Sequence, residues 1–262
     1  MKNNLSTILV LAFLFYTGSI MGWVIEVVFR RFFSANNSKR KWINPGFLIG
    51  PYIPIYGFSL VILFTFSFIP VEFIHNSIGQ KLVLFVLMSI AVTGLEYLAG
   101  IVFIKGMNIK LWDYSKEWGN IKGIICPRFS TYWMLLSAIY YFVIHPRVIG
   151  SLYWLAEHLT FSFFIGFFYG VFVIDFVYSM NVLTKIRKFA RENQIELRLE
   201  EFKEHLIRKR ETLKIRVGFM FPLTPIANDF ADDVREYILD HLEKEKELIE
   251  NIKKKKNDKT PK

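Results

Sequence analysis

Three carboxylates lie inside long apolar stretches of this 262-residue chain, at Glu26, Glu96 and Asp175. An acid within the hydrocarbon of a bilayer is costly, usually faces the interior of a helix bundle and often marks an ion or substrate pathway. Glu26 also precedes Arg30 by one helical turn, so a local ion pair is an alternative role for it. Asp175 follows Gly170 at a spacing of about 140° around a helix, so it points away from the small-residue stripe of that glycine.

Glu96 has no lysine or arginine within one turn of its own helix. Its carboxyl is therefore either a proton or cation site, or the partner of a basic residue in the following loop, for which Lys122 and Arg128 are candidates. That loop also contains Asp113, between two aromatic residues of the kind that settle at the headgroup level of a membrane. We weigh two roles for Asp113: part of an interfacial aromatic belt, or a third acid beside the two glutamates in a cytoplasmic vestibule.

These acids must be held by membrane-spanning helices, because 53% of the residues are hydrophobic and they are arranged in long blocks. An apolar run of about 18 residues or more crosses the hydrocarbon core of a bilayer as a helix. Five runs approach or exceed that length, and we predict an all-α, polytopic helical membrane bundle of about five spans. The runs are Leu5–Phe29, Tyr52–Ile69, Leu82–Ile104, Thr131–Ile144 and Leu159–Val182.

The distribution of lysine and arginine predicts the orientation of these spans. Basic residues concentrate after the first, third and fifth runs, and the other connecting segments carry few. Because cytoplasmic loops carry this excess, we predict an outside N-terminus, a cytoplasmic C-terminus and a multi-pass protein of the cell membrane. The formal charge of +10 then reflects orientation and contact with the anionic lipid bilayer. No nucleic-acid-binding signature accompanies the charge, so we predict no nucleic-acid partner.

The stretch Asn44–Gly57 is too apolar for a solvated loop and too rich in glycine and proline for a regular helix. Backbone of that kind at membrane depth is tolerated where protein or a water-filled cavity shields it. A shorter echo at Asn120–Pro127 also follows an apolar run that contains a glutamate. We therefore predict a duplicated helical hairpin, 5–69 and 82–144, which the fifth span, 159–182, completes into a bundle over residues 1–183.

The remainder, residues 184–262, is predicted to be a cytoplasmic tail of two amphipathic helices. Apolar residues recur every three or four positions from Ile195 to Leu213, with charges between them. Pro225 suits the first turn of a second such helix. The two helices are expected to form a hairpin or short coiled coil, which serves either a homo-oligomer or the docking of a cytoplasmic partner. From about residue 253 the chain is predicted to be disordered.

Over roughly residues 15–145 the chain resembles the bacterial ABC-transporter type IV (CmpB-like permease) family. That family has Trp-x-x-Glu in its first span, matched by Trp23 and Glu26, and Glu-Tyr in a later span, matched by Glu96 and Tyr97. The long signature Gly-Phe-Leu-x-Gly-Pro-x-x-Pro-Ile-Tyr-Gly is matched without interruption, and Trp-Asp-Tyr-Ser and Asn-x-x-Gly follow. The matching residues are Gly46, Phe47, Leu48, Gly50, Pro51, Pro54, Ile55, Tyr56, Gly57, Trp112, Asp113, Tyr114, Ser115, Asn120 and Gly123.

The chain departs from this family pattern at two positions, Pro45 and Ile124, where the family usually has arginine. If those arginines neutralise the intramembrane acids in other members, this chain neutralises them differently.

The resemblance implies a transporter permease. The chain lacks the G-x-x-x-x-G-K-[ST] phosphate-binding loop, so a separate cytoplasmic ATPase would supply the energy. Two alternatives stay open: an ion- or proton-coupled carrier that uses Glu96 and Asp175, and a non-transport scaffold whose tail recruits a cytoplasmic partner. With Cys126 as the lone cysteine and no HExxH spacing, we predict no enzyme, no metal and no cofactor.

Overall fold

The computed structural model describes residues 2–34, 37, 40–72, 74–192, 196–213 and 232–240. Nearly all regular structure within these ranges is helical, as predicted for an all-α protein. A π-helical segment, Ile139–Ile144, joins the fourth helix to the fifth, and one 3-10 turn, Leu159–Phe161, precedes the sixth. The helices are α1 (Lys2–Phe32), α2 (Pro54–Phe66), α3 (Ser77–Met107), α4 (Pro127–Ala138), α5 (His145–Glu157), α6 (Ser162–Glu192), α7 (Leu199–Thr212) and α8 (232–240).

Three of these helices are long and apolar enough to cross a membrane: α1, α3 and α6. The second predicted span is a shorter apolar helix, α2, which has 13 residues. The fourth predicted span is divided between α4 and the π-helical segment. Pro146, near the start of α5, has no backbone N–H to donate within the helix, which favours the wider π turn just before it. The number of five spans and the orientation stay predictions.

Proline starts both short helices that follow the long ones. Pro54 begins α2 and Pro127 begins α4, at the position where a missing N–H leaves no hydrogen bond unmade. Each half of the bundle therefore contains a long helix with a glutamate, an irregular loop and a proline-started helix. The proposed duplication stays a prediction, but the two halves share this local construction.

Two short parallel strands tie the tail to the bundle. β1 (Ile109–Lys110) follows α3 directly and pairs with β2 (Leu197–Arg198), which leads into α7. α6 itself continues beyond the predicted end of the fifth span to Glu192. The start of the tail is therefore held beside the ends of α3 and α6.

The predicted tail hairpin is confirmed where α7 and α8 are described. The rings of Phe202 and Tyr237 lie 5.3 Å apart, and Lys209 Nζ lies 2.9 Å from the Asp233 carboxylate. Because the later residue of α7 contacts the earlier residue of α8, the two helices are antiparallel. Ile195, Pro225 and the region from 253 onward lie outside the described residues.

The largest buried apolar cluster joins this tail to the signature stretch and to the ends of α3 and α6. Sharing one core means that the tail cannot move without uncovering apolar surface of the bundle. The main members of this apolar cluster are Phe47, Leu48, Tyr52, Ile109, Leu183, Ile186, Leu197, Leu199, Phe202, Leu206, Val234 and Tyr237.

Candidate functional site

Asn44 organises the signature stretch from inside. Its side chain is fully buried and accepts a hydrogen bond from the Trp23 indole at 2.7 Å. The same amide donates to the carbonyl oxygens of Leu48 and Ile49, at 3.1 and 2.9 Å. Gly46 takes a left-handed φ of 72° within this turn, a conformation that favours glycine. The amide therefore replaces the regular hydrogen bonding that the loop lacks and ties it to α1.

Asp175, on α6, clamps the next part of the stretch. Its carboxylate accepts from the backbone N–H groups of Ile49 and Gly50, at 3.1 and 2.7 Å, and from the Tyr52 hydroxyl at 2.7 Å. The hydroxyl of Ser179 adds a fourth donor at 2.9 Å. Asp175 thus does point to a contact away from the small-residue stripe. That contact is a loop anchor with its acceptors occupied, which leaves little for the coupling-ion role considered above.

Tyr56 and Gly57, at the end of the signature, form a close contact between α1 and α2. A side chain at Gly22 would overlap the ring of Tyr56, and one at Gly57 would meet Ser19 Oγ at 2.3 Å. Backbone contact follows at the loop end, where Ile53 N–H donates to the Ser19 carbonyl at 2.9 Å. These two glycines therefore permit the close approach of α1 and α2. Of the other signature residues, Phe47 and Leu48 are buried in the main core, Pro54 starts α2, and Pro51 is exposed.

Glu26 is fully partnered in this contact. Arg30 Nε lies 2.9 Å from one carboxylate oxygen, and the Tyr56 hydroxyl donates to the other at 3.0 Å. The local ion pair expected from the spacing of Glu26 and Arg30 is confirmed. Arg30 also pairs with Glu200 of the tail. One guanidinium is therefore shared by an acid in a membrane-spanning helix and an acid in a tail helix.

Glu96 is buried, with 2% of its surface exposed, and is partnered on one side only. The Tyr114 hydroxyl donates to Oε1 at 3.2 Å, and Oε2 has no hydrogen-bond partner among the described residues. Burial raises the pKa of Tyr114, so its hydroxyl remains a donor at neutral pH. The suggested pairing with Arg128 is wrong, because that side chain instead contacts Glu117 at 3.1 Å.

In the second irregular loop, the side chains of the adjacent residues Asp113 and Tyr114 contact different parts of the protein. Arg198 Nε lies 3.0 Å from one Asp113 oxygen, and the other accepts from the Ser115 hydroxyl and backbone N–H. Asp113 therefore contacts Arg198 and Ser115, and its place in a vestibule with the two glutamates stays a prediction. Tyr114 reaches Glu96, while the neighbouring Asp113 holds the tail.

Asn120 and Gly123 shape this loop as Asn44 and Gly46 shape the first. The Asn120 amide donates to the carbonyls of Ser115 and Glu117 and accepts from Gly123 N–H at 3.0 Å. Gly123 has a φ of 68°, and a side chain there would meet the Asp113 carboxylate at 2.7 Å. The Trp112 indole closes the loop by donating to the carbonyl of residue 124 at 2.8 Å.

Lys203 of the tail reaches the first loop and was not identified from the sequence. Only 4% exposed, it donates to the carbonyl oxygens of Asn44, at 3.1 Å, and of Gly46. Burial, assisted by the charge of Arg30, lowers the pKa of Lys203 to about 7. Its position within the apolar stripe of α7, between Leu199 and Leu206, was the available signal, since lysine is rarely buried unless partnered.

These contacts join the sequence motifs into one network at the end of the bundle where the tail packs. Glu26, Glu96 and their tyrosine partners lie on the bundle side, and Glu200 and Lys203 approach from α7. Asp175 and Asp113 hold the flanking loops. A cleft in this region is lined by Arg30, Ser34, Asn37, Ile43, Glu200, Lys203 and Glu204.

Comparison with curated proteins and with solved structures finds no match. The family described as "Putative ABC-transporter type IV" matches residues 13–180, which include most of α1, all of α2 to α5, both irregular loops and the Asp175 clamp. That match covers well over half of the chain and extends the resemblance seen in the motifs through the fifth predicted span. The chain is therefore a member of this ABC-transporter type IV family, and its three long apolar helices are those of a membrane protein.

Proposed function

We propose that this chain is the membrane permease subunit of a transporter that a separate cytoplasmic ATPase energises. Its substrate pathway would pass the region of Glu26 and Glu96. Family membership and the apolar helices support a membrane transport role. The ATPase belongs to the proposal because the sequence has no phosphate-binding loop of its own.

The shared guanidinium of Arg30 is the observation that carries this proposal. An ATPase outside the membrane acts on transport only if movement in the cytoplasm reaches groups inside the bundle. Displacement of α7 would take Glu200 from Arg30 and leave that cation to Glu26 alone. The tail is thus in a position to alter the electrostatics of an intramembrane acid from outside the bundle.

The test begins with the tagged full chain, solubilised from native membranes together with its partners. We expect a P-loop ATPase to co-purify in fixed stoichiometry, and its ATP hydrolysis to fall several-fold in Glu200→Gln. Glu117→Gln is the matched control, because it removes a carboxylate paired with Arg128 away from the network. Equal hydrolysis by the two variants, or no ATPase at all, would contradict the proposal.

The same preparation separates the alternatives. Transport by the chain alone, driven by an ion gradient in proteoliposomes, would identify an ion-coupled carrier. Stable capture of a partner without ATPase activity, together with no transport, would identify a scaffold.

A further inference from the structure

The three intramembrane acids differ in how their oxygens are satisfied. Asp175 accepts four hydrogen bonds, and Glu26 has an arginine on one oxygen and a hydroxyl on the other. Glu96 has one hydroxyl on Oε1, while Oε2 is buried without a partner among the described residues. No ion pair of the described residues includes Glu96. Two of the acids therefore have both oxygens satisfied, and the third does not.

The surroundings of Glu96 supply no substitute for a counter-charge. One turn further along α3, Gly100 packs against the apolar side chain of Ile124. The Trp133 indole and the Tyr114 hydroxyl are both neutral hydrogen-bond donors beside Glu96, and neither brings a positive charge to the carboxylate. Hard metal cations are bound by several oxygen ligands, and the described residues contain no group of three metal-ligating side chains. A bound metal ion is therefore a poor fit.

The charged and titratable groups near Glu96 come from every packed element. They are Glu26 with Arg30 on α1, Tyr56 on α2, Tyr114 in the loop and Glu200 on α7. Lys203 of α7 also lies near Arg30 and Glu200, so with all three glutamates ionised and both cations charged this group keeps an excess of negative charge. Leaving an ionised carboxylate buried without a counter-charge is strongly unfavourable, and a bound proton removes that cost.

We propose that Glu96, unlike Glu26 and Asp175, is a proton-binding site, with the proton on Oε2. Tyr114 holds the other oxygen and connects the site to the cytoplasmic loop. The use of this proton in a transport cycle rests on the proposed function. Its presence does not, so a protonated Glu96 in a chain that has no ATPase partner would refute only the function.

Infrared spectroscopy of the purified full chain in lipid tests the site directly. We expect the carbonyl-stretch band of a protonated carboxylic acid at about neutral pH, shifted in heavy water and missing from Glu96→Gln. Glutamine keeps the shape of the side chain, so this variant should accumulate normally. Glu117→Gln is again the control and should retain the band. Absence of this infrared band from the wild type, or its persistence in Glu96→Gln, would overturn the proposal.

Two further measurements locate the proton and identify its competitor. Tyr114→Phe should move the band to higher frequency, because the carboxyl loses its hydroxyl donor, and an unmoved band would contradict the geometry. Sodium or potassium should leave the band unchanged. A band that disappears when either ion is added would overturn the proton site in favour of a cation site.

An apolar carbodiimide gives a test that needs no variant. A carboxylic acid O–H adds across a C=N bond of the reagent, and the O-acylisourea rearranges to a stable N-acylurea, whereas an ion-paired carboxylate does not react. Peptide mapping should therefore show Glu96 modified about tenfold or more above Glu26 and Asp175. Equal modification of the three acids would refute the distinction between them.

Discussion

Replacing Asp175 with asparagine tests whether one carboxylate holds the signature loop. In the wild type its two oxygens accept four hydrogen bonds, from Ile49, Gly50, Tyr52 and Ser179, at 2.7 to 3.1 Å. An amide has one acceptor oxygen and turns its NH₂ group toward donors, so about two of the four donors lose their acceptor. A buried donor without an acceptor costs about 1–3 kcal/mol, which predicts a loss of about 2–6 kcal/mol in the free energy of unfolding.

Unfolding in detergent micelles measures this loss. Ser179→Ala is the matched control, because it removes one donor and leaves the carboxylate in place, at a cost of about 0.5–1.5 kcal/mol. A cysteine at Leu48, in a background that lacks Cys126, reports on the loop itself, since Leu48 is only 3% exposed. Its reaction with a thiol reagent should be slow in the wild type and faster in Asp175→Asn. Stability within about 0.5 kcal/mol of wild type, with an unchanged labelling rate, would show that packing alone holds the loop.

The other predictions concern helix packing, tail docking and topology. A methyl group at Gly57 would lie 2.5 Å from a backbone carbonyl oxygen of α1, so Gly57→Ala should cost about 1–3 kcal/mol of unfolding free energy. Gly94→Ala, which meets nothing within 4 Å, should be neutral, and equal losses would contradict the close contact. The docked Lys203 has a pKa of about 7, whereas in a released tail it would regain the higher pKa of an exposed lysine. Above about pH 7 the released tail therefore binds more protons than the docked tail. Docking, measured by hydrogen exchange of α7, should therefore strengthen from about pH 7 to about pH 10, and Lys203→Met should abolish the trend. A cysteine at Glu72 should react with an impermeant reagent in intact cells, and one at the exposed Trp118 only after permeabilisation; the reverse would refute the orientation.

Properties that depend on local spacing could be predicted from the sequence. The apolar blocks are long enough to specify membrane helices wherever they fold, which is why the all-α class and the three longest spans were predicted. Glu26 and Arg30 pair because residues four apart are neighbours on any helix. The stripe of α7 was visible for the same reason, since a helix repeats about every 3.6 residues whatever it packs against. Proline at the starts of α2 and α4 likewise acts through its own backbone.

Only the tertiary structure decided which acid keeps one oxygen without a hydrogen-bond partner among the described residues. Asp175 and Glu96 look alike in sequence. A loop more than a hundred residues away satisfies Asp175, whereas one oxygen of Glu96 has no hydrogen-bond partner among the described residues. Asp113 and Tyr114 are adjacent, but one holds the tail and the other an intramembrane acid. Lys203 meets its carbonyl partners only because the tail folds back onto the bundle. No local spacing encodes these contacts, because they arise when separate helices share one buried core and each polar group must find its partner within it.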